Sequence, residues 1–314
     1  MPAPRTRPSL VDAAKRLYWR AVPWAHPIRT LRARRNRWRT TFRPPGHFYS
    51  PIPSIPEVRA RAAAIFDRDV AAIPGIDLDE RGQLALLARL EPYLREQPWR
   101  TEAVPGLRFR HGNPNFSHGD ALVLYALLRH GRPRRAVEVG CGHSSCVFVD
   151  TNERFLGGAM ELTFIEPYPD LFLSLLAPGD REAVRLHACG LQAVPDEVFD
   201  RLGEGDVLFV DSSHVSKTGS DVNHLFFRIL PRLASGVWIH LHDVHYPFEY
   251  PEAWVYEGRA WNETYLLRAF LQYNGAFQVL LWGSCIAARH REAWARAMPP
   301  AYADPGGSIW LRKR

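Results

Sequence analysis

From residue 135 onward the chain alternates short apolar runs with longer mixed segments. The runs are RAVEVG, ELTFIEP, VRLHAC, DVLFVDS, GVWIHLHD, FQVLLWG and SIWLRK, each of strand length. Between the first five lie SSCVFVDTNERFL, PDLFLSLLA, AVPDEVFDRL and SDVNHLFFRILPRL, long enough for crossover helices. Buried apolar strands alternating with helices predict a parallel, doubly wound α/β sheet of Rossmann-like type. The last two runs are joined by a long segment with little helical pattern, which predicts an antiparallel strand at the edge. Upstream, apolar residues fall at helical spacing over residues 57–72 (Val58, Ala62, Ile65) and 79–96 (Leu84, Leu87, Leu90, Leu94), predicting an N-terminal helical cap. RPPGHFYSPIPSIPEV, residues 43–58, is too rich in proline for regular helix and marks a junction, with Phe48 and Tyr49 free to pack on the body. The expected division is a basic, partly helical or disordered arm over 1–43, a Pro-rich linker and helical cap over 44–109, and an α/β domain over 110–314.

Composition adds limits. At 314 residues and 46% hydrophobic, the chain can bury one large core. No apolar run reaches the roughly 20 residues of a spanning helix, and Arg and Pro interrupt the N-terminus where a secretory segment would be apolar. The expected location is cytoplasmic. Four cysteines (Cys141, Cys146, Cys189, Cys285) without a CxxC pair suit a reducing compartment. Charge is uneven: residues 1–43 hold twelve Lys/Arg and one Asp, a net +11, and the other 271 residues sum to −4. KRLYWRAVPW and RTLRARRNRWRT interleave Arg with Trp19, Trp24 and Trp38, which suits the inner face of an anionic membrane or a nucleic-acid backbone; a solvated helical extension is the plain alternative. Specific nucleic-acid binding is not expected, because the body is mildly acidic and carries no such signature.

In AVEVGCGHSS, Glu138, Gly140 and Gly142 close the first strand and open a helix, where glycine lets the backbone approach a ligand. Ser145 stands where GxGxxG has its third glycine. Glu166 ends the next strand, 24 residues after Gly142, about where an acid holds ribose hydroxyls. On these residues the chain resembles the class I S-adenosylmethionine-dependent methyltransferases over residues 110–314. The resemblance implies a seven-stranded sheet with an antiparallel last strand. It implies that Gly140, Gly142 and Ser144 line the methionine part of S-adenosylmethionine, with Glu138 positioning the loop, Glu166 on the ribose and Asp211 also at the cofactor. ACGLQAV would flank adenine; where the family often has an acid, Cys189 and Gln192 stand here. FIEPYPD, DSSHVSKTGSDV, HDVHYPFEYP and GGSIWLRK further resemble a bacterial group of that superfamily, which implies a sugar or natural-product hydroxyl as acceptor, small or glycan-borne.

The fourth strand ends LFVDSSH and the fifth HLHDVH. In a doubly wound sheet adjacent carboxyl ends open into one crevice, so Asp211, His214, His242, Asp243 and His245 are expected to converge, with His240 left as a structural residue. Methyl transfer to oxygen needs alignment and a deprotonated nucleophile. A histidine base would supply the latter, His214 first and His245 second. A divalent cation such as Mg²⁺ would do so differently, held by Asp211, His242 and Asp243. The paired strand-end aspartates resemble metal-dependent O-methyltransferases, although Val244 stands where the catechol-type enzymes have an amide and His214 where they have lysine. Non-haem iron on His242, His245 and an aspartate is a further metal alternative. Lys217, Thr218 and Ser220 are set to cap a helix or meet a substrate, and the ring-rich segment 246–267, with Glu249, Glu252, Glu257, Arg259 and Glu263, to act as a lid or a satellite core. A nicotinamide-dependent oxidoreductase is the rival enzyme, disfavoured by Glu138 and the absent third glycine; a non-catalytic membrane-associated scaffold is the rival of another class.

Overall fold

The structure, a computed structural model, describes residues 42–116, 118–300 and 303–314. Two compact units divide the chain after Ala60. In the first, the Gly46 N–H donates to the Ile52 carbonyl at 3.0 Å, closing a turn with φ +83° at the glycine. A short helix, α1 (Ile55–Ala60), ends the unit. His47 stacks on Phe48 at 4.4 Å and Phe48 meets Tyr49 at 4.2 Å. The arm expected over 1–43 lies outside the described residues except for Phe42 and Arg43.

The second unit is built on a seven-stranded sheet of order β3-β2-β1-β4-β5-β7-β6. Its strands are β1 (Arg135–Val139), β2 (Glu161–Ile165), β3 (Arg185–His187), β4 (Val207–Val210), β5 (Trp238–Leu241), β6 (Phe277–Trp282) and β7 (Ile309–Lys313). The first five pair in parallel, and β7 runs antiparallel to both β5 and β6. Each apolar run of the sequence is a strand, but the antiparallel strand is not an edge: β7 is inserted between β5 and β6. The segment before it is not a bare loop either, for it carries two helices, α12 (Gly283–Arg289) and α13 (Arg291–Ala297).

Helices cover both faces, so β4 is buried along its length and β1 from Ala136 onward. One core gathers Leu90, Leu124, Phe148, Phe209 and Trp310 between the sheet and α3 (Glu80–Glu96), α4 (His118–Gly131) and α5 (His143–Phe155). The other gathers Val210, Leu225, Ile239 and Trp282. The helical spacing over 79–96 becomes α3, started by Asp79, whose side chain accepts the Gly82 N–H at 3.1 Å. Over 57–72 only the end of α1 and α2 (Ala62–Ile65) form, because neither short piece buries an apolar face. After β2 come α6 (Asp170–Leu175) and α7 (Asp180–Ala183), and after β3 comes α8 (Glu197–Asp200). The crossover after β4 is α9 (Asp221–His224), continued by a π turn over Leu225–Ile229. The ring-rich segment holds α10 (Glu252–Tyr256) and leads into α11 (Glu263–Leu271). Among the described residues no helix is long and apolar enough to cross a membrane.

Asp150 on α5 ties the irregular segment 99–109 to the body. Its carboxylate accepts the Trp99 indole N–H at 2.8 Å and the backbone N–H groups of Arg108 and Phe109 at 3.0 Å. Asp150→Ala strands these buried donors and is expected to cost about 3 kcal/mol, since each unsatisfied donor costs roughly 1–3 kcal/mol. Urea unfolding of both proteins measures it, and a loss under about 1 kcal/mol would contradict the assignment.

Candidate active site

β1 and β4 end side by side, and the backbone between them leaves no room for a side chain. The Asp211 N–H donates to the Val139 carbonyl at 2.8 Å, and Gly140 turns with φ +86°. A Cβ at Gly140 would lie 1.6 Å from the Asp211 carbonyl oxygen, so only glycine fits. Gly142 has extended backbone, and its N–H donates to the Ser145 hydroxyl at 3.0 Å. Ser145 thus closes the start of α5 where a dinucleotide fingerprint would have its third glycine. Ser144 is buried, and its hydroxyl donates to Glu138 Oε1 at 2.5 Å. Burial pushes the Glu138 carboxyl up to about 8 against its hydrogen bond from Ser144, and its Oε2 has no partner.

A cleft of about 410 Å³ opens beside this turn, lined by Gly140, Glu166, Tyr168, Leu191, Gln192, Asp211 and Ser213 among others. The Glu166 carboxylate accepts the Cys141 N–H at 3.3 Å with one oxygen and the Tyr168 N–H at 2.8 Å with the other. It is thereby held at the cleft wall with lone pairs to spare for a diol. Of the expected cofactor residues, Gly140, Glu166 and Asp211 line the cleft; Glu138, Gly142 and Ser144 are not part of its lining. Gln192 lies in the cleft wall from the expected adenine loop, with its amide donating to the Gly219 carbonyl at 2.8 Å. The residues present fit S-adenosylmethionine: a backbone turn that only glycine permits, an acid presented to the cleft, and a second carboxylate, Asp211, in its wall.

Asp211 is the joint between this cleft and the histidine cluster. His214 Nε2 lies 3.3 Å from Asp211 Oδ1 and 3.5 Å from Asp243 Oδ2, while His214 Nδ1 donates to Glu263 Oε2 at 2.9 Å. His242 Nε2 lies 3.5 Å from Asp243 Oδ1. His245 stands apart, packed on the Trp254 ring at 5.3 Å, with its Nε2 unpartnered. His240 is fully buried, bonded to the Ser308 hydroxyl at 2.8 Å and stacked on Phe209, a structural residue as expected. Ser220 caps α9 by accepting the Asn223 N–H.

Burial alone would strip His214 of its proton, but hydrogen bonds to Asp211 and Glu263 and the charge of Asp243 outweigh it and raise the ring to about 10. These contacts favour the imidazolium form of His214, where the sequence reading has it as a base. Burial lowers His245 to about 3, which keeps it neutral. Burial raises Asp243, whereas the charges of His242 and His214 overcome the burial of Asp211 and hold it low. In the expected metal set, Asp211, His242 and Asp243, the ring nitrogen His214 Nε2 lies between the two aspartates, and among the described residues no group of three or more His, Cys, Asp or Glu is arranged to hold a metal. Glu263, read from sequence only as a charge on the lid, is the buried counter-ion of His214, and the backbone N–H groups of Asn262 and Glu263 both donate to the His214 carbonyl at 3.1 Å. Trp261 covers the ring at 4.5 Å.

Residues 137–244, from within β1 to just past β5, match the family described as a methyltransferase domain. With the sheet order above, this match agrees with a methyltransferase-like α/β fold for the region. Over 133 residues, 41% of this chain, the protein is 41% identical to one from Archaeoglobus fulgidus described as uncharacterized, and it spans 60% of that protein's length. Among solved structures it is similar to the O-methyltransferase TomG of Streptomyces achromogenes, involved in tomaymycin synthesis (17% identity, 82% of this chain, 96% of that one, TM-score 0.41). It is also similar to the Podospora anserina methyltransferase PaMTH1 (18% identity, 84% of this chain, 99% of that one, TM-score 0.39).

Because the folded pKa of His214 lies above the unfolded value of about 6.5, its stabilisation is fully present below that pH and is lost as pH rises toward 10. The stability gap between the native protein and His214→Gln is expected to shrink by a few kcal/mol between pH 6.5 and 10, at about 1.4 kcal/mol per unit of pKa shift. Urea titrations across that range measure it; a gap independent of pH would mean that the ring is not charged.

Proposed function

We propose that the protein transfers a methyl group from S-adenosylmethionine to a hydroxyl of a sugar or natural-product acceptor, and does so without a divalent cation. The observation that carries this reading is the position of Asp211, which belongs both to the cleft with Glu166 and to the cluster with His214 and Asp243. The bound cofactor would supply an electrophilic methyl on a sulfonium sulfur. Glu166 would accept hydrogen bonds from the ribose hydroxyls, and the Gly140 turn would let the cofactor lie against backbone. Asp211, kept ionised by His242 and His214, would place negative charge beside the cationic sulfonium.

The acceptor hydroxyl must lose its proton as oxygen attacks. Asp243 is the group we assign to take it, at its side-chain carboxylate: burial raises its pKa toward the range useful for a base, and His214 holds one oxygen. His214 keeps its own proton and fixes the two aspartates. His245, neutral and with its Nε2 buried beside Gly307, is given no contact with the acceptor.

Calorimetry with S-adenosylhomocysteine tests the cofactor site. Micromolar affinity is expected, unchanged by EDTA or added Mg²⁺, and Glu166→Ala should weaken it at least roughly tenfold, the loss of about 1.4 kcal/mol of charge-assisted hydrogen bonding. Unchanged affinity in the variant would remove Glu166 from the ribose site. Methyl release onto a panel of glycosides and phenols tests the chemistry. Asp243→Asn should keep nucleoside affinity and lower kcat by about 10²- to 10⁴-fold. An active Asp243→Asn enzyme, or activity that EDTA abolishes and Mg²⁺ restores, would overturn the assignment.

A further inference from the structure

One feature of the chain plays no part in the site above: the strong separation of charge between its first 43 residues, net +11, and the rest, net −4. In the charged stretch, arginines alternate with large rings, and five of them, Arg32, Arg34, Arg35, Arg37 and Arg39, fall within eight residues that end in Trp38 and Arg39. The described residues that follow carry the same chemistry onward. Phe42, Phe48 and Tyr49 are 82%, 81% and 62% exposed, and the Arg43 guanidinium lies over the Phe42 ring at 5.1 Å. Rings in a protein are usually buried, so a run of exposed ones beside arginines calls for a partner that takes both.

We infer that residues 1–49 bind an anionic phospholipid surface, arginines on the phosphates and rings at the level of the headgroups. Arginine pairs with phosphate through its planar fork, and indole and phenol rings favour the boundary between water and acyl chains. Each basic residue near an anionic leaflet adds to the attraction, and the effect fades within a Debye length, so it depends on salt. A nucleic-acid backbone would take the arginines too. It offers nothing to the adjacent exposed Phe48 and Tyr49 side chains unless bases are unstacked, and the net negative body would be repelled by a polyanion that extends past the arm. An anionic bilayer offers phosphates to the arginines and a headgroup boundary to the rings.

The test is flotation of the full-length protein with vesicles of phosphatidylcholine alone and of phosphatidylcholine with about 30% phosphatidylglycerol, at low and high salt. Binding is expected to be at least roughly tenfold stronger to the anionic vesicles and to fall away at about 0.5 M salt. A variant with Arg32, Arg34, Arg35, Arg37 and Arg39 changed to Gln, and another carrying Phe48→Ser and Tyr49→Ser, should each bind several-fold more weakly with an unchanged thermal midpoint. Equal binding to both vesicle types, no binding to either, or variants that bind like the parent would overturn the inference. So would duplex DNA or RNA that, at equal phosphate concentration, strips the protein from the anionic vesicles.

Discussion

The contact on which the site depends is the approach of two strand ends. At the centre of the sheet β1 and β4 are neighbours in space although β2 and β3 separate them in sequence, so their crossovers leave on opposite sides and a crevice opens above them. The crevice has its depth because Gly140 lets the β1 turn lie directly on the Asp211 carbonyl. From that one contact follow the position of Cys141, whose N–H fixes Glu166, and the position of the Asp211 side chain, which faces the cleft on one side and His214 on the other. A side chain at residue 140 would part β1 from β4 and lose both halves of the site together.

The cluster beyond Asp211 is held in costly backbone. His214, Asp243 and Phe248 all have positive φ, near 57° for the first two and 73° for the third, a conformation that costs roughly 1–3 kcal/mol for residues of this kind. What holds it is local: the Asn262 and Glu263 N–H groups on the His214 carbonyl, the Glu263 carboxylate on its ring, and the Gly307 carbonyl on the Val244 N–H at 2.7 Å. Gly307 itself is pressed against His245 and the Asp243 backbone, where a Cβ would meet His245 Nε2 at 2.9 Å. The inserted strand β7 thus does more than fill the sheet, since the residues just before it pin the end of β5.

Much of this could be read from the chain, and the parts that could not share one cause. Each strand was legible because a parallel strand buried on both faces is a continuous apolar run, and the turn at Gly140 because a strand, two glycines and a downstream acid come together in only a few folds. The convergence of Asp211, His214 and Asp243 followed from topology. The partner of His214 did not: Glu263 lies 49 residues along the chain and looks in sequence like any charge in a polar, ring-rich loop. Nor did the insertion of β7, since pairing order among strands of similar character depends on where α12 and α13 carry the chain, and those helices are too short to show a periodic face. The role of His214 changed for the same reason. A histidine's charge is decided by what surrounds it, and here three carboxylates from separate segments outweigh its burial.

That charge bears on how the metal-free transfer we propose would run. A cation between two strand-end aspartates would neutralise them and hold them at fixed separation, and a buried imidazolium does both. It differs from a metal in having no open coordination position, so it cannot itself lower the pKa of an acceptor hydroxyl by direct ligation. The proton must then go to a carboxylate, and of the two, Asp211 is held low by His242 and His214 while Asp243 is raised by burial. The division suits a sulfonium donor. Bringing a positive charge to the Asp211 side favours the ionised form of both acids, by an amount that falls with distance and rises as water is excluded. Asp243 would then be ionised when cofactor and acceptor are both in place and take up a proton as the positive charge on sulfur is discharged, so that the cluster and the cofactor together end the reaction with their total charge unchanged.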